Sequence, residues 1–168
     1  MRLLIREAKP ETDWLTGIWP IFREAVSGGD TLAFPPDSDE TSARACWMLP
    51  APAQVFVAVN EEDGAILGSS FVRPIQPGLG SHVANAAFIV AAAASRQGVG
   101  RALGEHVIAW ARQQKFFAMQ FNFVVSTNTR AIALWKGLGF SIVATIPEAF
   151  QHQGLGRNVD AFVMHRFL

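Results

Sequence analysis

Apolar positions along this chain change period several times, and each change marks an element. Leu3-Leu4-Ile5-Arg6 reads as a first strand. From Thr12 to Ala25 the spacing is helical, with Trp14, Leu15, Ile18, Ile21 and Phe22 on one face and Thr12 or Asp13 as cap. Pro20 lies inside that run and is expected to kink or break it, since proline lacks the N–H that a helix interior needs. Ser27 to Asp39 is rich in Gly, Asp, Ser and Pro and reads as a loop, followed by a short helix from about Glu40 to Met48. Val55 to Val59 and Ile66 to Val72 flank a turn at Asn60 to Gly64 and predict a hairpin. A second loop, Pro74 to Gly80, leads to an apolar strand from His82 to Val90. Next comes a helix with Val99, Ala102, Leu103, His106, Val107 and Trp110 on one face. Ala118 to Val125 is a further strand, and a helix from Thr129 to Leu138 stops at Gly139. Ser141 to Ile146 and Asn158 to Phe167 complete the pattern as an antiparallel pair.

This β-α-(α)-β-β-β-α-β-α-β-β order predicts an α+β fold, in one domain over residues 1–168 without repeats or a linker. Half of the residues are hydrophobic, with 13 Phe and 5 Trp, so the chain can bury a sizeable core. Net charge is zero, which argues against a nucleic-acid partner held through phosphates. The longest purely apolar run, Ala86 to Ala94, is too short for a bilayer, and Arg6, Glu7 and Lys9 stand where a signal peptide would be apolar. Cys46 is the single cysteine, which excludes an internal disulfide; it reads as a packed apolar residue rather than a nucleophile. The expectation is a cytoplasmic protein with no membrane and no nucleic acid among its partners.

The most informative segment joins the strand ending Phe88-Ile89-Val90 to the helix through Ser95-Arg96-Gln97-Gly98-Val99-Gly100-Arg101. Glycines admit a ligand close to the backbone, and the first turn of a helix offers unpaired N–H groups at the positive end of its dipole. Strand, glycine turn and helix N-terminus together suit a phosphate or pyrophosphate. A tight strand-to-helix turn with no ligand is the alternative. No Gly-Lys-Ser/Thr follows, so this is not a P-loop. A dinucleotide fingerprint is excluded too: Leu103 stands three after Gly100, and the next strand carries Gln120 and Asn122 rather than an acid.

With Gly98 and Gly100 in the glycine positions, the segment resembles the acetyl-CoA-binding motif Gln/Arg-x-x-Gly-x-Gly/Ala of the GNAT N-acetyltransferase superfamily. Its first position is Ser95, which removes one side-chain contact. A second block, Asn128-Thr129-Arg130-Ala131-Ile132-Ala133-Leu134-Trp135-Lys136-Gly137-Leu138-Gly139-Phe140, resembles the late signature of the same superfamily, in the right order and separation. The resemblance covers about residues 3–168. It implies a mixed central sheet of about six to seven strands, splayed at its centre and flanked by about four helices.

It also implies a chemistry, with acetyl-CoA as co-substrate and no metal. Acetyl transfer from a thioester to an amine needs a held donor, a polarised carbonyl, a neutral amine and a stabilised thiolate. The resemblance assigns the donor to Arg96, Gln97, Gly98, Val99, Gly100 and Arg101, and carbonyl polarisation to main-chain N–H near Val90. Arg96, Arg101, Arg130 and Lys136 are candidates for the ribose phosphate and adenine, or a solvated basic face. The superfamily often protonates the thiolate with a tyrosine; this chain has none, and Trp135 stands there. Asn128 is a candidate catalytic and donor-contacting residue, a role compatible with capping a helix.

Asn85 and Asn122 lie in apolar strands, where an amide must be satisfied. They are either core asparagines or the lining of an acceptor cleft. With Phe88, Asn128, Arg73-Pro74 and Ser81-His82 they resemble the yeast-type acetyltransferases of azetidine-2-carboxylate and related proline analogues. That implies Asn85 as catalytic and substrate-binding, Asn122 as substrate-binding and Phe88 as an apolar wall. His82, Asp160 and Glu148 are the titratable candidates for a base, and Asp30, Thr31 and Phe34 are candidate contacts from the covering loop. The expected function is N-acetylation of a small amine, an amino acid or analogue. Protein or peptide acetylation, a silent acyl-CoA sensor, a nucleotide-binding regulatory domain and homodimer formation stay open.

Overall fold

The computed structural model describes residues 2–168. Its strands are β1 (Leu3–Glu7), β2 (Gln54–Asn60), β3 (Ile66–Pro74), β4 (Val83–Val90), β5 (Ala118–Val125), β6 (Ser141–His152) and β7 (Arg157–Phe167). They form one seven-stranded sheet in the order β1-β2-β3-β4-β5-β7-β6. Every neighbouring pair is antiparallel except β4 and β5. A continuous helical stretch over 10–27 comprises α1 (Pro10–Asp13), a π-helical segment (Trp14–Ile18) and α2 (Trp19–Ser27). Then follow α3 (Glu40–Trp47), α4 (Val99–Gln113) and α5 (Thr129–Gly137). The expected mixed sheet with four helical bodies is present.

Period-two alternation gives the sheet two buried faces. On β2, Phe56 and Ala58 turn toward α4, while Val55, Val57 and Val59 turn toward α2 and α3. One core layer joins Leu103, Val107, Met119, Phe121, Trp135 and Phe140. The opposite layer is aromatic, with Trp14, Phe22, Trp47 and Phe71. Fully burying such a side chain stabilises by about 1.5–3 kcal/mol. Trp47 also donates its indole N–H to Ser69 Oγ at 3.0 Å, and Ser69 donates to the Phe56 carbonyl, so the polar atoms of this layer are paired. Arg6 on β1 grips Asp13 through two hydrogen bonds of 2.6 and 3.0 Å, tying the first helical turn to the sheet edge.

Three expectations need correction. Pro20 does not break the helix. The wide π turn at Trp14–Ile18 precedes it, and a π turn relaxes the i→i−4 ladder that a proline would otherwise violate. β6 runs on to His152 rather than ending at Ile146, because Pro147 falls in the register shift between Ile146 and Phe150 on an edge strand, where a missing ladder N–H is tolerated. Cys46 is exposed: Ala43 and Trp47 take the buried face of α3, leaving Cys46 on the other.

Candidate active site

The parallel ladder between β4 and β5 is very short. It comprises Val83 opposite Ala118 and Ala84 opposite Met119, and then the strands part. At the fork the Asn85 side chain spans the gap, its Nδ2 donating to the Gln120 carbonyl at 2.9 Å. On its other side β5 stays paired with β7, with a register shift between Phe121 and Val124. That extra residue breaks the alternation and turns both Asn122 and Phe123 outward. From Asn85 to Val90 the edge of β4 toward β5 has no strand partner.

Two contiguous cavities occupy the opened cleft, of about 290 and 410 Å³. They meet at Thr31, Leu32, Phe88, Asn128, Ala131 and Trp135. The larger lies over the glycine turn and is lined by Val90, Ser95, Arg96, Gly98, Val99, Gly100, Arg101 and Arg130. Gly98 caps α4 with φ +84°, a left-handed conformation that glycine enters without strain, and nothing lies within 4 Å of where its Cβ would stand. The first hydrogen bond of α4 runs from the Ala102 N–H to the Gly98 carbonyl at 3.0 Å. The amides of Val99, Gly100 and Arg101 are therefore left without helical partners above that open space.

Arg130 comes to this cavity from the first turn of α5, and its Nη1 donates to Ser95 Oγ at 2.7 Å. The serine thus anchors a guanidinium beside the glycine turn. Glu24 of α2 accepts the Ala92 N–H at 2.9 Å just beyond β4, fixing the chain where it leaves the sheet. No local pattern announces either contact, because their partners are 35 and 68 residues apart.

The smaller cavity is walled by Phe34, Phe88, Phe121, Phe123 and Trp135, with Thr31, Asn85, Asn122 and Asn128 as its polar residues. Trp135 is buried against Phe88 and Phe121, each at 4.7 Å between ring centroids. Asn128 caps α5, its Oδ1 accepting from the Ala131 N–H at 3.2 Å, and it borders both cavities.

A likeness to known proteins decides the family. The family model of the acetyltransferase (GNAT) family matches residues 14–140, most of the chain. This chain belongs to the GNAT family. A GCN5-related N-acetyltransferase from Kribbella flavida is 48% identical, with a TM-score of 0.92 over 99% of this chain and 98% of that one. A GNAT superfamily phosphinothricin acetyltransferase from Sinorhizobium meliloti, in complex with AcCoA, is 21% identical with a TM-score of 0.85, over 100% of this chain and 89% of that one, and shares the fold. Among curated proteins, N-acetyltransferase aca1 of Schizosaccharomyces pombe is 31% identical over 114 residues, 68% of this chain and 54% of that protein. Protein SPT10 of Saccharomyces cerevisiae is 31% identical over 97 residues, 58% of this chain and 15% of that protein. The chain thus spans about half, or far less, of the curated relatives it matches.

The GNAT cleft sorts the candidate residues. Asn85, Phe88, Asn122, Asn128, Thr31 and Phe34 meet in the smaller cavity. Gln97 does not line the larger one; its side chain folds back onto the Ala93 carbonyl at 2.9 Å. Lys136 lies outside both cavities, as do the proposed bases. His82 packs near Phe117 before the start of β4, and Asp160 accepts the Glu148 N–H at 2.9 Å. Glu148 borders a separate pocket on the far side of Leu32–Phe34. Asn122 is exposed on the bulge, not a buried mid-sheet amide, and its Oδ1 accepts from Gln120 Nε2 at 2.9 Å. Asp30 stays out of the cleft. Among the described residues no group of acidic, histidine or cysteine side chains is placed to hold a metal, and no helix is long and apolar enough to cross a membrane.

Proposed function

We propose that this protein transfers the acetyl group of acetyl-CoA to the amine of a small molecule by direct attack on the thioester. The observation that carries the reading is the junction of the two cavities: a glycine-turn cavity meets one lined by neutral side chains at Asn128 and Trp135. The residues fit the donor. The open space above Gly98 and the free amides of Val99 to Arg101 suit a pyrophosphate, and Arg96, Arg101 and Arg130 add positive charge. The unpartnered edge of β4 near Val90 suits the pantetheine arm, which would add to it as a strand does. Bound acetyl-CoA supplies the activated acyl group and a thiolate leaving group.

The remaining steps belong to the chain. Main-chain N–H near Val90 polarises the carbonyl. Asn128 Nδ2, which makes no hydrogen bond within the protein among the described residues, points a neutral donor to the same junction. Asn85 Oδ1 is open to an incoming amine N–H, since Asn85 uses its nitrogen on Gln120. Phe88 and Trp135 form apolar walls, and an indole supplies no proton at neutral pH. A thiolate with a pKa of about 8.5 departs without a dedicated acid. Calorimetry with CoA, followed by mass spectrometry of acceptor mixtures, tests the reading. CoA binding with N-acetyl product supports it; binding without product from any amine leaves an acyl-CoA sensor, and N-acetylated peptide in place of small amines moves the activity to proteins.

A further inference from the structure

The sheet is covered unevenly. On one side α4 and α5 form a core layer with residues from β1 through to β6, while on the other α1 to α3 cover only β2, β3 and β4. Among the described residues no helix lies over that second side of β5, β7 and β6. The register shows what is left there. Phe162 and Met164 of β7 and Ile142 of β6 turn to the α4–α5 layer, so alternation sends Val163, His165 and Phe167 to the open side. Ala144 stands opposite Val163 and Ile146 opposite Ala161, which puts both on the same open side. Near the cleft, Val125, Phe150 and Val159 close this face with a small cluster of their own, and the rest lies open.

An open side of an antiparallel sheet is ordinarily polar. This one is apolar. Phe117 and Phe167, 60% and 67% exposed, pack edge to face at 5.3 Å between centroids, and His165 joins the row at 4.9 Å from Phe167. Phe123, Val143 and Ile146 are exposed on the same three strands. At about 200 Å² for a whole aromatic side chain, these five apolar residues leave roughly 500 Å² uncovered, a size at which patches mark interaction sites. With Gln120, Ala144, Val163 and His165 between them, the face approaches the roughly 800 Å² per partner of a standard interface.

The charge pattern selects the occupant. From Ser141 to Ile146 and from Ala161 to Phe167 the sole Asp, Glu, Lys or Arg is Arg166. Arg166 turns to the helix side, where it donates to the Leu138 carbonyl. A strongly charged partner therefore finds no counter-charge on this face, whereas an identical face brings no charge mismatch. Net charge of the chain is zero, so two copies meet without long-range repulsion.

We propose that the open face of β5, β7 and β6 seats a second copy of this chain, the two half-sheets packing face to face about a two-fold axis. Sedimentation velocity of the full chain, from micromolar to near-millimolar protein, tests it. The mass is expected to rise from that of the 18.3 kDa chain toward twice that value. Phe167→Glu and Ile146→Glu each set a carboxylate on an exposed position outside both cavities, so the chain should keep its melting curve and its affinity for CoA. Each should raise the dimer dissociation constant by about tenfold or more, because the contact would bury an unpaired charge. Hydrogen exchange of the unsubstituted chain reads the same face without a variant: at high concentration, slowing should be confined to 141–146, 163–167 and the segment around Phe117. A monomer at every concentration overturns the proposal. So does a dimer of unchanged affinity in both variants, or one whose slowed exchange lies elsewhere.

Discussion

Asn85→Ala separates the structural work at the fork from the chemistry of the cleft. Asn85 is 9% exposed, and its Nδ2 donates to the Gln120 carbonyl one residue past the last β4–β5 pair. The side chain replaces the rung that the splayed backbones no longer make. Removing it deletes one hydrogen bond and leaves a part-buried carbonyl unpaired, a loss of about 1–3 kcal/mol. For a chain of this size about 2–4 °C of Tm accompanies each kcal/mol, so the variant should melt roughly 2–12 °C earlier. Asn122→Ala acts on an exposed bulge residue and should change stability by no more than about 0.5 kcal/mol, while both variants lower kcat/KM for the acceptor. Asn85→Asp adds a sign test. Near neutral pH a carboxylate would face the Gln120 carbonyl and repel it, so Asp should be worse than Ala; at low pH the protonated acid donates again and the gap closes. Scanning calorimetry across pH, with steady-state rates on the same samples, reads all three. A Tm for Asn85→Ala equal to that of the wild type would refute the idea that this amide holds the fork together.

Other expectations follow from the same geometry. Gly98→Val forces a β-branched residue into φ +84°, which costs at least about 1–2 kcal/mol, and fills the open space above the turn; calorimetry should show CoA affinity lost in a chain that still folds. If Arg130 clamps the pyrophosphate, Arg130→Ala should weaken CoA binding by about tenfold to a hundredfold, Ser95→Ala by less, and Ser95→Ala should add nothing on top of Arg130→Ala. Trp135→Phe should keep most of kcat, because the ring packs against Phe88 and Phe121 and carries no acid; a collapse of kcat with the fold intact would assign the indole a chemical role. Burial works to raise the Asp13 pKa, but the Arg6 guanidinium and the Lys9 N–H outweigh it and hold the carboxyl below its usual value. The stabilisation is therefore present above the unfolded carboxyl pKa of about 3.9 and is lost as pH falls through the folded value. The Tm gap between wild type and Asp13→Asn should be widest near neutral pH and shrink under acid.

The elements that position the cleft were legible because each is a local signal. The glycine turn, the helical face through Leu103 and Val107, and the capping Asn128 are all spelled within a few residues. Long-range pairing was not legible. The Ser95–Arg130 and Glu24–Ala92 contacts depend on how the helices pack, which no short window contains. The choice between core amide and cleft lining stayed open for Asn122 because period-two alternation continues through it in sequence, whereas a bulge resets the alternation in the sheet and leaves it at the cleft. Pro20 misled for a related reason: a single π turn upstream absorbs what the residue would otherwise break. Asn85 stands out in the sequence as a polar residue in an apolar strand, and only the fold shows that its partner is a backbone carbonyl across the fork.

Product analysis by mass spectrometry tests the central claim most directly. Purified protein is incubated with acetyl-CoA and a small amine, and both N-acetyl amine and free CoA are quantified against blanks lacking either substrate. The account requires the two products in equal amounts, dependent on both substrates and abolished by Gly98→Val. Tight CoA binding with no acetyl amine above the blank, across amines of every charge type, would contradict it and leave a binding protein in a GNAT fold.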